Sequence, residues 1–193
     1  MKNGTVGTMK RIFRVLVFAT CLTFLFSLFL VGGGMAKTAN EINSEVNDAL
    51  KLFPKHVKGA KEFLNTAKAV LVIPNIVKAG LGVGGEYGEG AMRIGGKTVE
   101  YYALAAGSVG LQIVAQKTNL VLVFRQDEAL KKFRASPGWK AGVDGSVALI
   151  DMGAGKSLDT MNVKDPIVAF LFGQQGLMAS ATIEGSKFTK LVR

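Results

Sequence analysis

The sequence predicts an α+β protein: a mostly antiparallel β core with two N-terminal helices and a short inserted helix. Three observations predict it. Residues 38–68 carry apolar positions at helical spacings of three and four. From Ala69 onward, short β-branched and aromatic runs alternate with Gly, Asn or Asp turn signals. Within that region "DEALKKFRAS" breaks the strand pattern with a short helix expected to be capped near Asp127.

The first element is a leader. Lys2, Lys10, Arg11 and Arg14 precede an uncharged run of 17 residues, Val15 to Val31, and "GGGMA" follows it. A basic start, an apolar middle and a small-residue exit describe a secretory signal peptide, with cleavage expected after Ala36. The alternative is an uncleaved N-terminal membrane anchor. Cys21 is the only cysteine and lies inside that run, so a cleaved chain has no disulfide and no thiolate nucleophile. The precursor carries a net charge of +10; the leader holds four positive charges and no acid, leaving +6. An excess of that size favours anionic surfaces.

The expected organisation is residues 1–36 as signal peptide, 37–68 as a helical segment and 69–193 as a β-rich domain, with 37–193 one structural unit. "TANE", Thr38 to Glu41, fits a capping box. Ile42, Val46, Leu50 and Phe53 form one apolar stripe, and Pro54 ends or kinks that helix. A second helix, Lys55 to Lys68, places Val57, Ala60, Leu64 and Ala67 on one face and Lys55, Lys58, Lys61 and Lys68 beside it. "AVLVI" reads as a strand. "EGAMRI", "GGK" and "TVEYYALA" read as a hairpin around Gly95-Gly96. "SVGLQIVAQ", "KTN" and "LVLVFR" read as another hairpin, "GVDGSVALID" as a strand, and "PIVAFLF", "GQQG" and "LMASATIEG" as a last hairpin.

Two segments imitate phosphate loops. Gly80, Gly82 and Gly85 spell G-x-G-x-x-G, but Gly88, Gly90, Gly95 and Gly96 follow too closely for the helix that such a loop needs. Their expected work is backbone geometry: sharp bends, positive φ, and close approach of strands where a Cβ would collide. "GAGKS", Gly153 to Ser157, lacks the first P-loop glycine and runs into a polar loop. Catalytic groups are sparse. His56 is the only histidine, which excludes multi-histidine metal sites. Glu86 and Glu89 are three apart, so in a strand they face opposite sides. No catalytic residue, metal or cofactor is expected.

Three blocks resemble the SYLF domain family, over about Lys68 to Arg193: "AKAVLVIPNIVKAGLGVGGEYGEGAM", "AGSVGLQIVAQKTNLVLVF" and "DPIVAFLFGQQGLMASATIEGSKFTKL". The family-motif residues among them are Lys78, Gly82, Tyr87, Gly88, Gly90, Gln112 and Glu184. The resemblance implies binding rather than chemistry. Eukaryotic members bind phosphoinositides through an amphipathic N-terminal segment and a basic patch, and yeast members bind and bundle actin. The signal peptide here departs from that cytosolic setting and makes actin an unexpected partner.

The expectation is therefore an exported, periplasmic or envelope protein that associates with anionic phospholipid membranes, with no nucleic-acid partner. Lys55, Lys58, Lys61 and Lys68 are the first lipid-binding candidates. Lys131, Lys132, Arg134 and Lys140 around the inserted helix are the second, with Trp139 beside them either an interfacial anchor or a core residue. The alternative is an envelope structural or protein-interaction module working through an exposed sheet edge. A hydrolase using Glu86 and Glu89 is the third reading.

Overall fold

Three helices and six strands follow one another in the described residues: α1 (Ala39–His56), α2 (Ala60–Thr66), β1 (Ala69–Ile94), β2 (Lys97–Phe124), α3 (Asp127–Ala135), β3 (Trp139–Lys140), β4 (Ala148–Asp151), β5 (Ile167–Gln175) and β6 (Lys187–Leu191). The computed structural model describes residues 36–151, 164–175 and 183–193. The leader, Cys21, "GAGKS" and most of the "LMASATIEG" arm lie outside them. Lys37–Arg193 cluster as one compact unit.

The architecture is α+β, as expected, with one sheet in the order β3-β6-β2-β5-β4 and β1 paired to β2. All pairings are antiparallel except β4 with β5. The apolar runs "AVLVI", "LVLVF" and "IVAFLF" are buried throughout because both faces of the sheet are covered. Alternation sends Val70, Val72, Val121, Val123, Val168 and Phe170 to one face, where Ile42, Val46, Phe53 and Phe63 of α1 and α2 meet them. Leu71, Ile73, Leu120, Leu122, Ala169 and Leu171 go to the other, beneath Phe133 of α3, Trp139 and Phe188. Phe53 and Phe63 stand edge-on to Phe170 at 5.2 and 4.9 Å.

The capping box at Thr38 forms: its hydroxyl accepts from the Glu41 N–H, and Glu41 Oε2 accepts from the Thr38 N–H at 2.7 Å. Pro54 does not end α1. It lies in the last turn, where it removes the N–H that would bond the Leu50 carbonyl, and the helix still continues to His56. The expected helix over Lys55–Lys68 is instead the seven-residue α2, because Gly59 takes a left-handed conformation (φ 80) that breaks the chain's helical path. α3 begins at Asp127, but its N-cap is Gln126, without a side-chain capping bond.

The hairpin at Gly95-Gly96 forms, with φ of 56 and 79. The second expected hairpin does not. "SVGLQIVAQKTNLVLVF" is the continuous latter part of the 28-residue β2, paired to β1 on both sides of "KTN". Asn119 there faces a bulge: β1 spends Pro74 and Asn75 where β2 spends Asn119 alone. "GVDGSVALID" is strand only from Ala148; Ala141 and Gly145 form an isolated bridge before it.

The β1–β2 ribbon turns back on itself. Lys78 Nζ and Glu86 Oε1 are 2.6 Å apart, whereas eight residues of extended strand span about 26 Å. The bend begins where β2 spends Ile113, Val114 and Ala115 opposite Ala79 alone, so β2 takes the longer outer path. The end of β1 thereby packs on its own start. A Cβ on Gly88 would lie 2.7 Å from Ile73 Cγ2, and one on Gly90 would overlap the Val72 carbonyl oxygen. Close approach is thus the role of these two glycines. Positive φ is not: Gly85, Gly88 and Gly90 all have ordinary strand backbone.

Candidate functional site

Where the ribbon leaves the sheet, three adjacent strands are irregular side by side. In β1, Asn75 has φ 51, the one non-glycine residue of positive φ among those described. In β2, Asn119 faces the β1 bulge and Thr118 faces a second one, Gly173 and Gln174 of β5, where Gly173 has φ 66. Asn119 staples the three strands. Its Oδ1 accepts the Asn75 N–H at 3.1 Å and its Nδ2 donates to the Phe172 carbonyl at 3.4 Å. The Thr118 hydroxyl donates to the same carbonyl at 3.3 Å. A side chain on Gly173 would meet Asn119 Nδ2 at 2.9 Å.

Between this seam and α1 runs a groove of about 440 Å³. Glu45, Asp48 and His56 line it from the helix, Lys117 and Asn119 from β2, and Pro74 and Asn75 from β1. Leu52 on the helix rim is 39% exposed, and Val77, just beyond Asn75 on β1, is 38% exposed. Glu45 is held by Lys37 at 2.7 Å; Asp48 has only the solvent-exposed Lys51 at 2.9 Å. Lys117 has no ion pair among the described residues. Beyond the groove, residues 79–85 of β1 and 107–116 of β2 contain no charge. Sequence reading missed this seam because "KTN" looks like a turn signal. Only the pairing register shows that it faces "PNI" of β1.

The expected lysine row is redistributed. Lys55 ends α1, Lys58 sits in the break, Lys61 begins α2 and Lys68 leads into β1, so no single helix face carries them. All four are exposed. Lys68 is 3.5 Å from Asp127; Lys55, Lys58 and Lys61 make no ion pair among the described residues. The apolar side expected to accompany them is spent in the core: Val57 and Ala60 are each 2% exposed, and the partly buried Leu64 and Ala67 pack against the same cluster.

In the second cluster, Lys131 and Lys140 are exposed and Lys132 is 3.8 Å from Glu128. Arg134 is consumed by Glu100, which accepts from its Nε and Nη2 at 3.0 and 2.9 Å, from Lys190 at 2.8 Å and from the Tyr102 hydroxyl at 2.7 Å. Burial pushes the Glu100 carboxyl up, but these donors outweigh it and hold the pKa at about 2. Trp139 is 3% exposed and packs 5.1 Å from Phe133, so it is a core residue rather than an anchor.

The motif residues serve the folded ribbon. Lys78 pairs with Glu86. The half-exposed Tyr87 donates to Glu89 Oε1 at 2.7 Å, and Arg193 donates to the same oxygen at 3.0 Å. Burial and that bond raise the Tyr87 hydroxyl to about 12. Burial works against the Glu89 charge, but Tyr87 and Arg193 still hold its pKa below the ordinary carboxylate value. Gly82 pairs with Gly110, and Gln112 with Gly80. Glu184 is exposed in the turn before β6. Among the described residues, His, Cys, Asp and Glu form no group of three or more suited to a metal.

Residues 105–191 match a family model, Ysc84, described as Las17-binding protein actin regulator. The match takes in the Gln112 and Glu184 motifs and the cluster from Lys131 to Lys140. The glycine-rich stretch of β1 and the lysines of residues 55–68 lie before it. No curated protein matches the chain.

Proposed function

We propose, from the match of residues 105–191 to the SYLF (Ysc84) family model, that the chain is an exported binding protein that associates with anionic phospholipid membranes. The carrying observation is the face where α1 ends and the ribbon leaves the sheet. The groove with its exposed Leu52 and its Lys117, and the exposed Val77 that pairs with Lys117, adjoin a ribbon segment without charge. Lys55 follows Leu52 by less than one helical turn, and Lys58 and Lys61 come next in the chain. Free ammonium groups at the edge of an uncharged projection suit a surface that is anionic outside and apolar within.

The membrane contact in this reading has two parts. Lys55, Lys58, Lys61 and Lys117 meet headgroups, each contributing about 1 kcal/mol near an anionic surface. The ribbon segment, rather than the buried side of α2, enters the acyl boundary. Among the described residues no helix is long and apolar enough to cross a membrane. Catalysis is not part of the reading, since Glu86 and Glu89 are each spent on a basic partner. Export rests on the leader, and N-terminal sequencing of the envelope-borne protein is expected to begin at Lys37.

Vesicle sedimentation tests the proposal. Phosphatidylglycerol vesicles are expected to carry the protein down at low salt and release it at high salt. The K55Q/K58Q/K61Q variant loses about 3 kcal/mol, or roughly 100-fold in affinity. Equal sedimentation with neutral and anionic vesicles refutes the electrostatic part. The family description favours a second reading, a protein-interaction module. Under it, the protein stays in the supernatant with every vesicle, and a protein partner is recovered from envelope extract.

A further inference from the structure

The groove between α1 and the bulge seam carries a more specific assignment than a charged surface does. Its walls are of opposite sign. Asp48 and Glu45 stand on the helix side, and Lys117 stands on β2, with His56 at the helix end. Among the described residues Lys117 makes no ion pair, and Asp48 has only an exposed lysine. An exposed pair of that kind contributes little and is readily exchanged. Ala49, Leu52 and Pro74 add an apolar lining between the charges.

The backbone around the groove is built rather than incidental. Asn75 holds a left-handed conformation that costs a non-glycine residue energy, and it is kept there by the Asn119 amide. The groove volume of about 440 Å³ is within the range of small-ligand sites.

Resting on the membrane reading above, we infer that this groove binds a primary amine joined by a short linker to a phosphate, the headgroup of a phosphoethanolamine lipid. The ammonium's three N–H groups suit the Asp48 carboxylate and the Oε1 atom of Glu45, whose Oε2 is already engaged by Lys37. The phosphate suits the Lys117 ammonium, with the His56 imidazole as a further donor. Acyl chains would lie along exposed Leu52 of the groove and Val77, the strand partner of Lys117, toward the uncharged ribbon. A quaternary choline lacks the N–H donors, so the groove discriminates against it.

The test compares vesicles with equal phosphatidylglycerol and either phosphatidylethanolamine or phosphatidylcholine as the remainder. The unmodified protein is expected to bind the ethanolamine vesicles at least fivefold more tightly, and D48N and K117Q are each expected to abolish the difference. Equal binding to the two compositions, or a preference that survives both substitutions, overturns the inference while leaving general anionic binding intact. A second measurement needs no membrane. Soluble glycerophosphoethanolamine is expected to shift the backbone amide resonances of His56, Asn75 and Asn119, and glycerophosphocholine to leave them unmoved. If neither compound moves them, the groove is not the site. If the soluble compound binds and ethanolamine vesicles do not, the recognised chemistry stands and its source is a free phosphate ester.

Discussion

Replacing Gly90 with alanine tests the folded ribbon directly. The new Cβ would overlap the Val72 carbonyl oxygen and lie 2.8 Å from both Ile73 Cα and the Val72 carbonyl carbon. All three atoms are backbone, and both residues are bonded into the buried centre of the sheet, so no rotamer change relieves the clash. Overpacking of a tight core costs about 1–3 kcal/mol, and a backbone clash belongs at the upper end or above it. A domain of this size loses roughly 2–4 °C in Tm per kcal/mol, so Gly90→Ala is expected to lower Tm by about 6–12 °C. Gly85 is the control. Its Cβ would stand 3.6 Å from the Ala106 carbonyl oxygen, an ordinary contact. Replacing a strand glycine there removes unfolded-state freedom and is expected to leave Tm unchanged or raised by a few degrees, for about 0.5–1 kcal/mol. Thermal denaturation followed by circular dichroism reads both. Equal Tm values for the two variants would falsify the view that β1 closes on itself at Gly90.

Two further outcomes follow from the packing and the charges. Glu100→Gln is expected to cost about 1.5–3 kcal/mol at neutral pH, because it weakens charge-assisted bonds to Arg134 and Lys190. The folded pKa, about 2, lies below the ordinary 4.5. The unfolded chain therefore binds more protons in between, and the contribution of Glu100 is complete above about 4.5 and lost as pH falls toward 2. Urea titrations across that window should show a shallower pH dependence in the variant, and an unchanged slope would remove Glu100 from the acid response. Phe63→Ala is expected to cost about 3–5 kcal/mol, since the ring is 6% exposed and edge-on to Phe170. Vesicle affinity measured on the folded fraction should stay the same. A variant of normal stability and weakened membrane binding would instead return α2 to the membrane-facing role that its sequence suggests.

Local chemistry made much of the fold legible. The Thr38 box, the stripe from Ile42 to Phe53 and the Gly95-Gly96 turn are each decided within a few residues, and each forms where the spacing indicates. The misreadings share one cause. "KTN" looks like a turn because Asn favours turns, but its backbone bonds are claimed by β1 on one edge and β5 on the other. The row from Lys55 to Lys68 looks like one helix face because periodicity assumes an unbroken helix, and a single left-handed Gly59 breaks it. Arg134 counted as a free cation until the fold brought Glu100, 34 residues earlier in the chain, against it.

Residue order alone determines that this chain begins with basic residues before an uncharged apolar run, that strand-like apolar runs follow two helical segments, and that a glycine-rich segment has no helix to hold a phosphate. Those properties depend on neighbours in the chain. Only the tertiary structure decided what the glycines and the charges do, because their partners are distant in sequence. Gly90 is required by Val72, Lys78 is neutralised by Glu86 across a bend, and Asn119 joins strands 44 and 53 residues away. The groove beside α1 exists for the same reason. Its charged residues come from one helix and one strand, its full lining from that helix and three strands, and the bulges that open it appear only when those strands pair.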